Sequence, residues 1–331
     1  MLFNRKSKNT ARLPGFGITL GLSLTYMSLL VLIPLSALIL FSFKPGFKEF
    51  SAILSDQGLL SALTTSFAES FKYYWAILSD QRVTTALKIS FGTTFLAACI
   101  NAFFGLIIAW VLARYSFYGK RIVDALIDLP FAIPTAVTGI SLTAIFAPNG
   151  LLGEPLQSLQ EKLRSFAPNF DACPEEESCF RSFLENIDLS VAYSKTGIVI
   201  ALVFIGLPFV VRSVQPVIEE LDRELEEAAS SLGANFFQIF RHVIFPSIYP
   251  ALLTGFALAF ARGVGEYGSV IFISSNMPYE TEIVPLLIVK KLMEFDYEGA
   301  SAIGVIMLVI SFALLLLINF LQRFSKTRGS K

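Results

Sequence analysis

Apolar residues run in long blocks along this chain, separated by shorter stretches where charge collects. Blocks of that length match the roughly 20 helical residues that cross a hydrocarbon core about 30 Å thick. Lipid offers no hydrogen bonds to a bare backbone, so each block is expected to form one continuous helix. Six spans are predicted, near residues 18–43, 89–113, 122–146, 196–214, 248–273 and 302–321. Arg5, Lys6, Lys8 and Arg12 precede the first, as they would in a signal peptide. Its apolar run far exceeds an h-region of roughly 7–15 residues and no small-x-small cleavage site follows, so it is read as an uncleaved helix. The expected fold class is all-α, a polytopic membrane protein with tails 1–17 and 323–331 flanking a six-helix domain, 18–322.

Composition agrees. Of 331 residues, 54% are hydrophobic and 16% charged, against roughly 45–50% and about 25% in soluble domains. A disordered or nucleic-acid-binding chain is excluded, and a single soluble enzyme domain is disfavoured. Lys+Arg and Asp+Glu balance at 26 each, so only their placement is informative. With the N-terminus in the cytoplasm, the inner segments carry 14 Lys/Arg in 70 residues, and the outer segments 11 in 121. That asymmetry obeys the positive-inside rule. It puts both termini in the cytoplasm and membrane lipid around the bundle. One His and three Cys leave little for a metal cluster or a histidine-based catalytic centre. No metal site is expected.

Two outer segments stand apart. Within 47–91, Phe47-Lys48 and Ala52-Ile53-Leu54-Ser55-Asp56-Gln57 recur 24 residues later as Phe71-Lys72 and Ala76-Ile77-Leu78-Ser79-Asp80-Gln81. One extra copy is no solenoid. It reads as a duplicated interfacial helix or as a docking surface for an extracytoplasmic partner. Segment 148–195 is an acidic, soluble insertion containing Cys173 and Cys179, which form a disulfide or stay as two thiols. Cys99, inside a span, reads as inert packing.

The longest cytoplasmic loop, 219–246, has the most informative pattern. Glu224 to Leu232 is rich in helix formers and acidic at its start, which suits the helix dipole. Gly233 is placed to end that helix in a left-handed conformation. Asn235 can cap a second short helix, and Pro246 then marks the start of the fifth span. Ala228 and Ala229 leave a face without bulk, which another protein surface can approach. Glu227-Ala228-Ala229, three residues, Gly233, nine residues, then Val243-x-Phe245-Pro246 resembles the EAA loop of ATP-binding cassette importer permeases. The family pattern ends in Ile-x-Leu-Pro, so Val243 and Phe245 are apolar departures.

That resemblance implies the ABC importer permease (MetI-like) fold and a coupling helix seated on a cytoplasmic ATPase subunit. Glu227, Ala228, Ala229, Gly233 and Pro246 are then the coupling residues. The stretches 124–137, 208–217, 265–273 and 294–297 are similar to sulfate/thiosulfate permeases, particularly the T-type (also called U-type) subunits. Such permeases typically lack the second repeat copy and the enlarged 157–192 loop. The likeness implies a heterodimer with a sister W-type permease, two ATP-binding subunits, and an extracytoplasmic sulfate-binding protein, in a bacterial inner membrane. A molybdate or tungstate permease is the alternative. The P-loop pattern is absent, so this subunit is not expected to be an enzyme; ATP and Mg belong to the partner, and no cofactor is expected here. An ion-coupled secondary transporter would show a two-half repeat with aligned intramembrane acids, and neither is present.

Sulfate is a dianion, and its path needs donors that also release it. Charge-assisted hydrogen bonds are roughly twice as strong as neutral ones, so hydroxyls and helix N-terminal amides suit the task. Thr135, Thr138 and Ser141 lie three residues apart after Pro134, with Ser269 and Ser274 on the fifth span. The alternative is that these hydroxyls bond their own helices. Arg262 and Glu266 are one turn apart within that span, and an intramembrane charge is a functional hypothesis by default. They read as a neutralised pair bracketing a hinge rich in glycine, with the acid too repulsive to ligate sulfate. Asp124 and Asp128 are expected to pair with Arg114, Arg121 or Arg212, in a structural role. His242 reads as a solvated or interface residue.

Overall fold

A computed structural model describes residues 16–42, 59–166 and 190–328. Residues 1–15 and 329–331 of the tails, most of the first repeat copy, and the Cys173 and Cys179 pair lie outside the described residues.

Among the described residues, all regular structure is helical. The first span comprises α1 (Phe16–Met27), a π-turn (Ser28–Leu32) and α2 (Ile33–Ser42). Helix α3 (Leu59–Ser79) ends at Asp80, whose carboxylate caps α4 (Gln81–Arg114) by accepting from the Arg82 amide at 2.8 Å. Three short helices follow, α5 (Lys120–Ile127), α6 (Leu129–Ala132) and α7 (Thr135–Phe146). Next come α8 (Gly153–Phe166) in the insertion and α9 (Lys195–Glu219). The loop contributes α10 (Arg223–Ser231) and α11 (Phe236–Ile239), then a π-turn (Phe240–Ile244) leads into α12 (Phe245–Val264). The chain closes with α13 (Val270–Ile273), α14 (Val284–Met293) and α15 (Tyr297–Arg328).

Among the described residues, five stretches are long and apolar enough to cross a membrane: Phe16–Ile39, Gln81–Arg114, Lys195–Glu219, Phe236–Val264 and Tyr297–Phe320. The third expected span is not one continuous helix, which corrects the sequence-based expectation. Pro134 holds φ at −57° and pushes Ile133 into an extended conformation (φ −92°, ψ 132°), so the helix must restart. Pro130 stands in the first turn of the four-residue α6, where its missing N–H costs no helical bond. Helix α7 alone reaches about 18 Å, short of the hydrocarbon core. The fifth expected span is likewise interrupted, between Val264 and Val270. Pro246 stands in the first turn of α12, at entry into the fifth span as expected, and the preceding π-turn, whose Phe245 amide bonds Phe240, joins that helix to α11 in one rod, 236–264.

Helix α9 is the axis of the bundle and packs on α4 and α12. Their shared core is Ala109, Leu112, Val210, Val211, Val214, Ile218, Ile244 and Ile248. Small residues allow this close approach: a Cβ on Gly105 or on Gly255 would lie 2.8 Å from Val210 atoms. A second cluster (Val83, Ala86, Leu87, Val284, Leu287, Ile303) joins α4, α14 and α15. Helix α1 buries no residue and stands with its apolar surface outward.

Candidate functional site

Two arrangements can carry function, a hook at the Arg114 end of the bundle and a broken-helix junction inside it. In the hook, α10 begins with Glu224 and Glu226 in its first turn, where acids complement the helix dipole. It ends in a Schellman turn. The Gly233 amide donates to the Ser230 carbonyl at 2.9 Å and the Ala234 amide to Ala229 at 3.1 Å, with Gly233 at φ +85°. Asn235 and Gln238 then close a reciprocal capping box, both bonds 2.9 Å. Glu227, Ala228 and Gly233 are exposed, Ala229 is half-buried, and Pro246 is exposed on the rod.

Sequence reasoning missed what fixes the hook. Glu226 pairs with Arg114 at the end of α4. The Arg114 guanidinium also lies over the Trp110 ring, 5.3 Å from its centroid, and Phe240 meets the same indole edge-on. No local pattern signals a contact between residues so far apart in the chain. Leu225, Leu232, Phe236 and Phe237 were also overlooked. They stand 52–89% exposed around the alanine face, an apolar surface with no cover among the described residues.

At the junction, the α12 helix opens at Gly265 and a side chain takes over from the backbone. Glu266 Oε1 accepts from the Ser269 amide at 3.0 Å and from its hydroxyl at 3.1 Å, while Oε2 pairs with Arg262 Nη1 at 2.7 Å. The carboxylate thus caps the restart at α13 and compensates the arginine. Helix α7 sits on this break. A Cβ on Gly139 would lie 2.4 Å from the Ser269 carbonyl oxygen, and one on Gly268 would lie 2.3 Å from Thr135 Oγ1. Thr135, Ser269, Arg262 and Glu266 are thereby brought together. Thr138 is buried, and its hydroxyl has no partner among the described residues. Ser141 faces outward from α7. Ser274 belongs elsewhere: its hydroxyl donates to the Thr281 carbonyl in the loop before α14.

Two further ion clusters frame the junction. Arg212 on α9 holds Asp128 in a bidentate pair (2.9 and 2.6 Å) and Asp124 at 2.8 Å, so the two acids staple the interrupted third span to α9. Of the three arginines considered from sequence, Arg212 is the partner. At the Gln81 end, buried Glu282 accepts from Arg82 Nε at 2.7 Å, Arg82 Nη2 at 2.8 Å and Lys290 at 2.6 Å. Burial alone would raise the Glu282 carboxyl, but these hydrogen bonds and charges outweigh it and hold it below the ordinary glutamate range. Asn101, buried on α4 against Gly206 of α9, has neither amide atom partnered among the described residues.

Residues 101–329 match the family described as binding-protein-dependent transport system inner membrane component. The chain belongs to that family. As a permease component it is a translocation subunit rather than an enzyme, and a multi-pass membrane protein. It is 40% identical to the sulfate transport system permease protein CysT of Salmonella typhimurium over 315 residues, 95% of each chain. The Synechocystis protein of the same name is 43% identical over 234 residues, 71% of this chain and 72% of that one. Among solved structures, a bacterial ABC transporter that imports the polysaccharide alginate superposes with TM-score 0.63 at 14% identity, covering 93% and 96% of the two chains. Another structure, of the bacterial alginate transporter with a periplasmic protein bound to an alginate pentasaccharide, gives TM-score 0.64 at 15% identity. These two likenesses support the permease fold.

Proposed function

We propose that this chain is the sulfate- and thiosulfate-translocating subunit of an ATP-driven importer. It works as a heterodimer with a second, W-type permease, above two ATP-binding subunits that hold ATP and Mg. An extracytoplasmic sulfate-binding protein delivers the anion to the Glu282 end, and both termini face the cytoplasm with the hook. The observation that carries this reading is the hook itself. It is a glycine-terminated, alanine-faced helix with uncovered apolar neighbours, ion-paired to α4 and continuous with the rod that ends at Arg262 and Glu266. Glu227, Ala228, Ala229 and Gly233 receive the partner's motion, and the rod through Pro246 transmits it to the junction. Thr135, Thr138, Ser141, Arg262, Glu266 and Ser269 border the anion path. The identity of the anion rests on the named relatives.

The test is uptake of labelled sulfate by vesicles holding the four-subunit complex and its binding protein, with and without ATP. Uptake that needs ATP and is competed by thiosulfate supports the reading. Competition by molybdate or tungstate at far lower concentration would move the assignment to those anions. Uptake driven by an ion gradient without ATP would overturn it.

A further inference from the structure

The exposed surfaces of this bundle are of two kinds. Helix α15 turns Leu308, Val309, Phe312, Leu316, Leu317 and Phe320 outward, a bulky apolar belt suited to lipid. The outward face of α12 is different, with Thr254, Leu258, Ala261 and Gly265 at helical spacing and Arg262 at its edge. An exposed arginine in a membrane helix is costly against hydrocarbon, so such residues turn to a partner or a water-filled cavity. Burial sorts the pair's two charges. The Glu266 side chain is 2% exposed and the Arg262 side chain 38%. Both Glu266 oxygens are engaged within the chain, whereas Arg262 spends Nη1 on the acid and its Nε and Nη2 make no hydrogen bond among the described residues.

We infer that Arg262 is the anion-contacting residue of the translocation path, with Glu266 a hidden counter-charge that limits how tightly it holds. This rests on the reading of the chain as an oxyanion permease. A dianion approaching α12 meets guanidinium N–H groups and never the carboxylate, which lies behind them. That geometry removes the objection that an acid here would repel the substrate. It also resolves a conflict between donating and releasing: a bare arginine would bind a dianion too firmly, whereas a compensated one presents the positive end of a dipole. Gly265 has a φ of −88°, which any residue adopts, and no atom within 4 Å of where its Cβ would stand. A reporter side chain fits there, about one helical turn from Arg262.

The experiment uses the full transporter in membranes, with Cys99, Cys173 and Cys179 replaced and Gly265→Cys introduced. Reaction rates are compared for a negatively charged sulfonatoethyl and a positively charged trimethylammonioethyl methanethiosulfonate. The expected result is faster reaction with the anionic reagent and slowing by millimolar sulfate. Arg262→Gln should lower the anionic-to-cationic rate ratio about tenfold, because one charge about 6 Å away in a watery path acts oppositely on the two reagents. Arg262→Lys should preserve the ratio and Glu266→Gln should raise it. Should Arg262→Gln fail to accumulate, the double variant with Glu266→Gln removes both charges without leaving an orphan; it should abolish sulfate protection. A cysteine inert to both reagents with and without ATP, or a ratio that Arg262→Gln moves less than twofold, would overturn the inference. Loss of the sulfate assignment in the uptake assay, with the ratio shift intact, would leave Arg262 contacting a different anion.

Discussion

Gly139 is where the interrupted third span touches the interrupted fifth, and the effect of an added side chain there can be worked out. A Cβ would lie 2.4, 2.7 and 2.9 Å from the carbonyl oxygen, Cα and carbonyl carbon of Ser269. All three are backbone atoms of a buried residue, so none can rotate away. Relief to even 3.0 Å requires α7 and the break to part by about 0.6 Å in a close-packed interior. Overpacking of this kind typically costs ~1–3 kcal/mol. Alanine's better helix propensity returns about 1 kcal/mol, so Gly139→Ala should lose up to ~2 kcal/mol. Gly139→Val has less compensation, since β-branched residues gain little over glycine in a helix, and should lose more. Gly92, inside α4, provides the control: nothing lies within 4 Å of its Cβ position. There the propensity gain acts alone, and Gly92→Ala should be neutral to about 1 kcal/mol stabilising. The assay is thermal unfolding of the detergent-purified complex, read with ATP-driven uptake. Gly92→Ala should melt at or above the parent, and the two Gly139 variants below it in the order Ala, Val. If Gly139→Val melts with the parent and transports normally, α7 does not rest on the break as described.

Gly233→Val should impair coupling through conformation alone. Its φ of +85° costs an L residue ~1–2 kcal/mol, while no neighbour obstructs the side chain. The expected outcome is reduced co-purification of ATP-binding subunits at unchanged membrane level, with Gly233→Asn milder; normal uptake would refute the coupling role. A double-mutant cycle of Arg114→Leu and Glu226→Gln, read by melting, should give a coupling energy of about 1 kcal/mol, since the pair is only partly shielded. Glu282 gives a pH dependence. Its carboxyl is depressed, so the stability it contributes is complete above the ordinary glutamate value of 4.5 and is lost as pH falls through the lower folded-state value. Melting of the parent should fall along that acid limb, whereas Glu282→Gln should start lower and show a shallower fall.

The spans, the hook and its glycine were legible because they follow local rules. Apolar runs report burial in lipid, and Ser230 to Asn235 carries the capping chemistry of two helix ends within six residues. The interruption of the third span was hidden by the same apolar signal, since hydropathy ignores geometry. Pro134 held the information, because its ring sets Ile133 extended by a local steric rule that an apolar-run reading does not weigh. The Glu282 cluster was invisible for a different reason. Arg82 and Glu282 are 200 residues apart, and no periodicity links them. Arg262 and Glu266 were visible as a pair because they share one helix. Which of the two faces outward could not be read, because that depends on where Ser269 and α7 fold back.

The contacts also define how movement at the hook would reach the proposed anion path. The rod 236–264 is about 43 Å long at helical rise, and its π-turn is braced by Phe240 against Trp110. Displacing the hook therefore displaces α12 and α4 together at that end. At the other end, the rod stops at Arg262 and Glu266, and Glu266 holds Ser269 through two hydrogen bonds. Ser269 bears on Gly139, so α7 must follow or the contact must open. Helix α7 is not free to follow as a body, because the segment before it is stapled to α9 by Arg212. The strain then concentrates between Asp128 and Thr135, where Pro134 already interrupts the helix and few backbone bonds need to break. A hinge is expected at Ile133-Pro134 rather than at the glycines around Glu266, whose backbone is held by the carboxylate. Crosslinking α7 to α13 should then leave transport intact, whereas locking α6 to α7 across Pro134 should stop it.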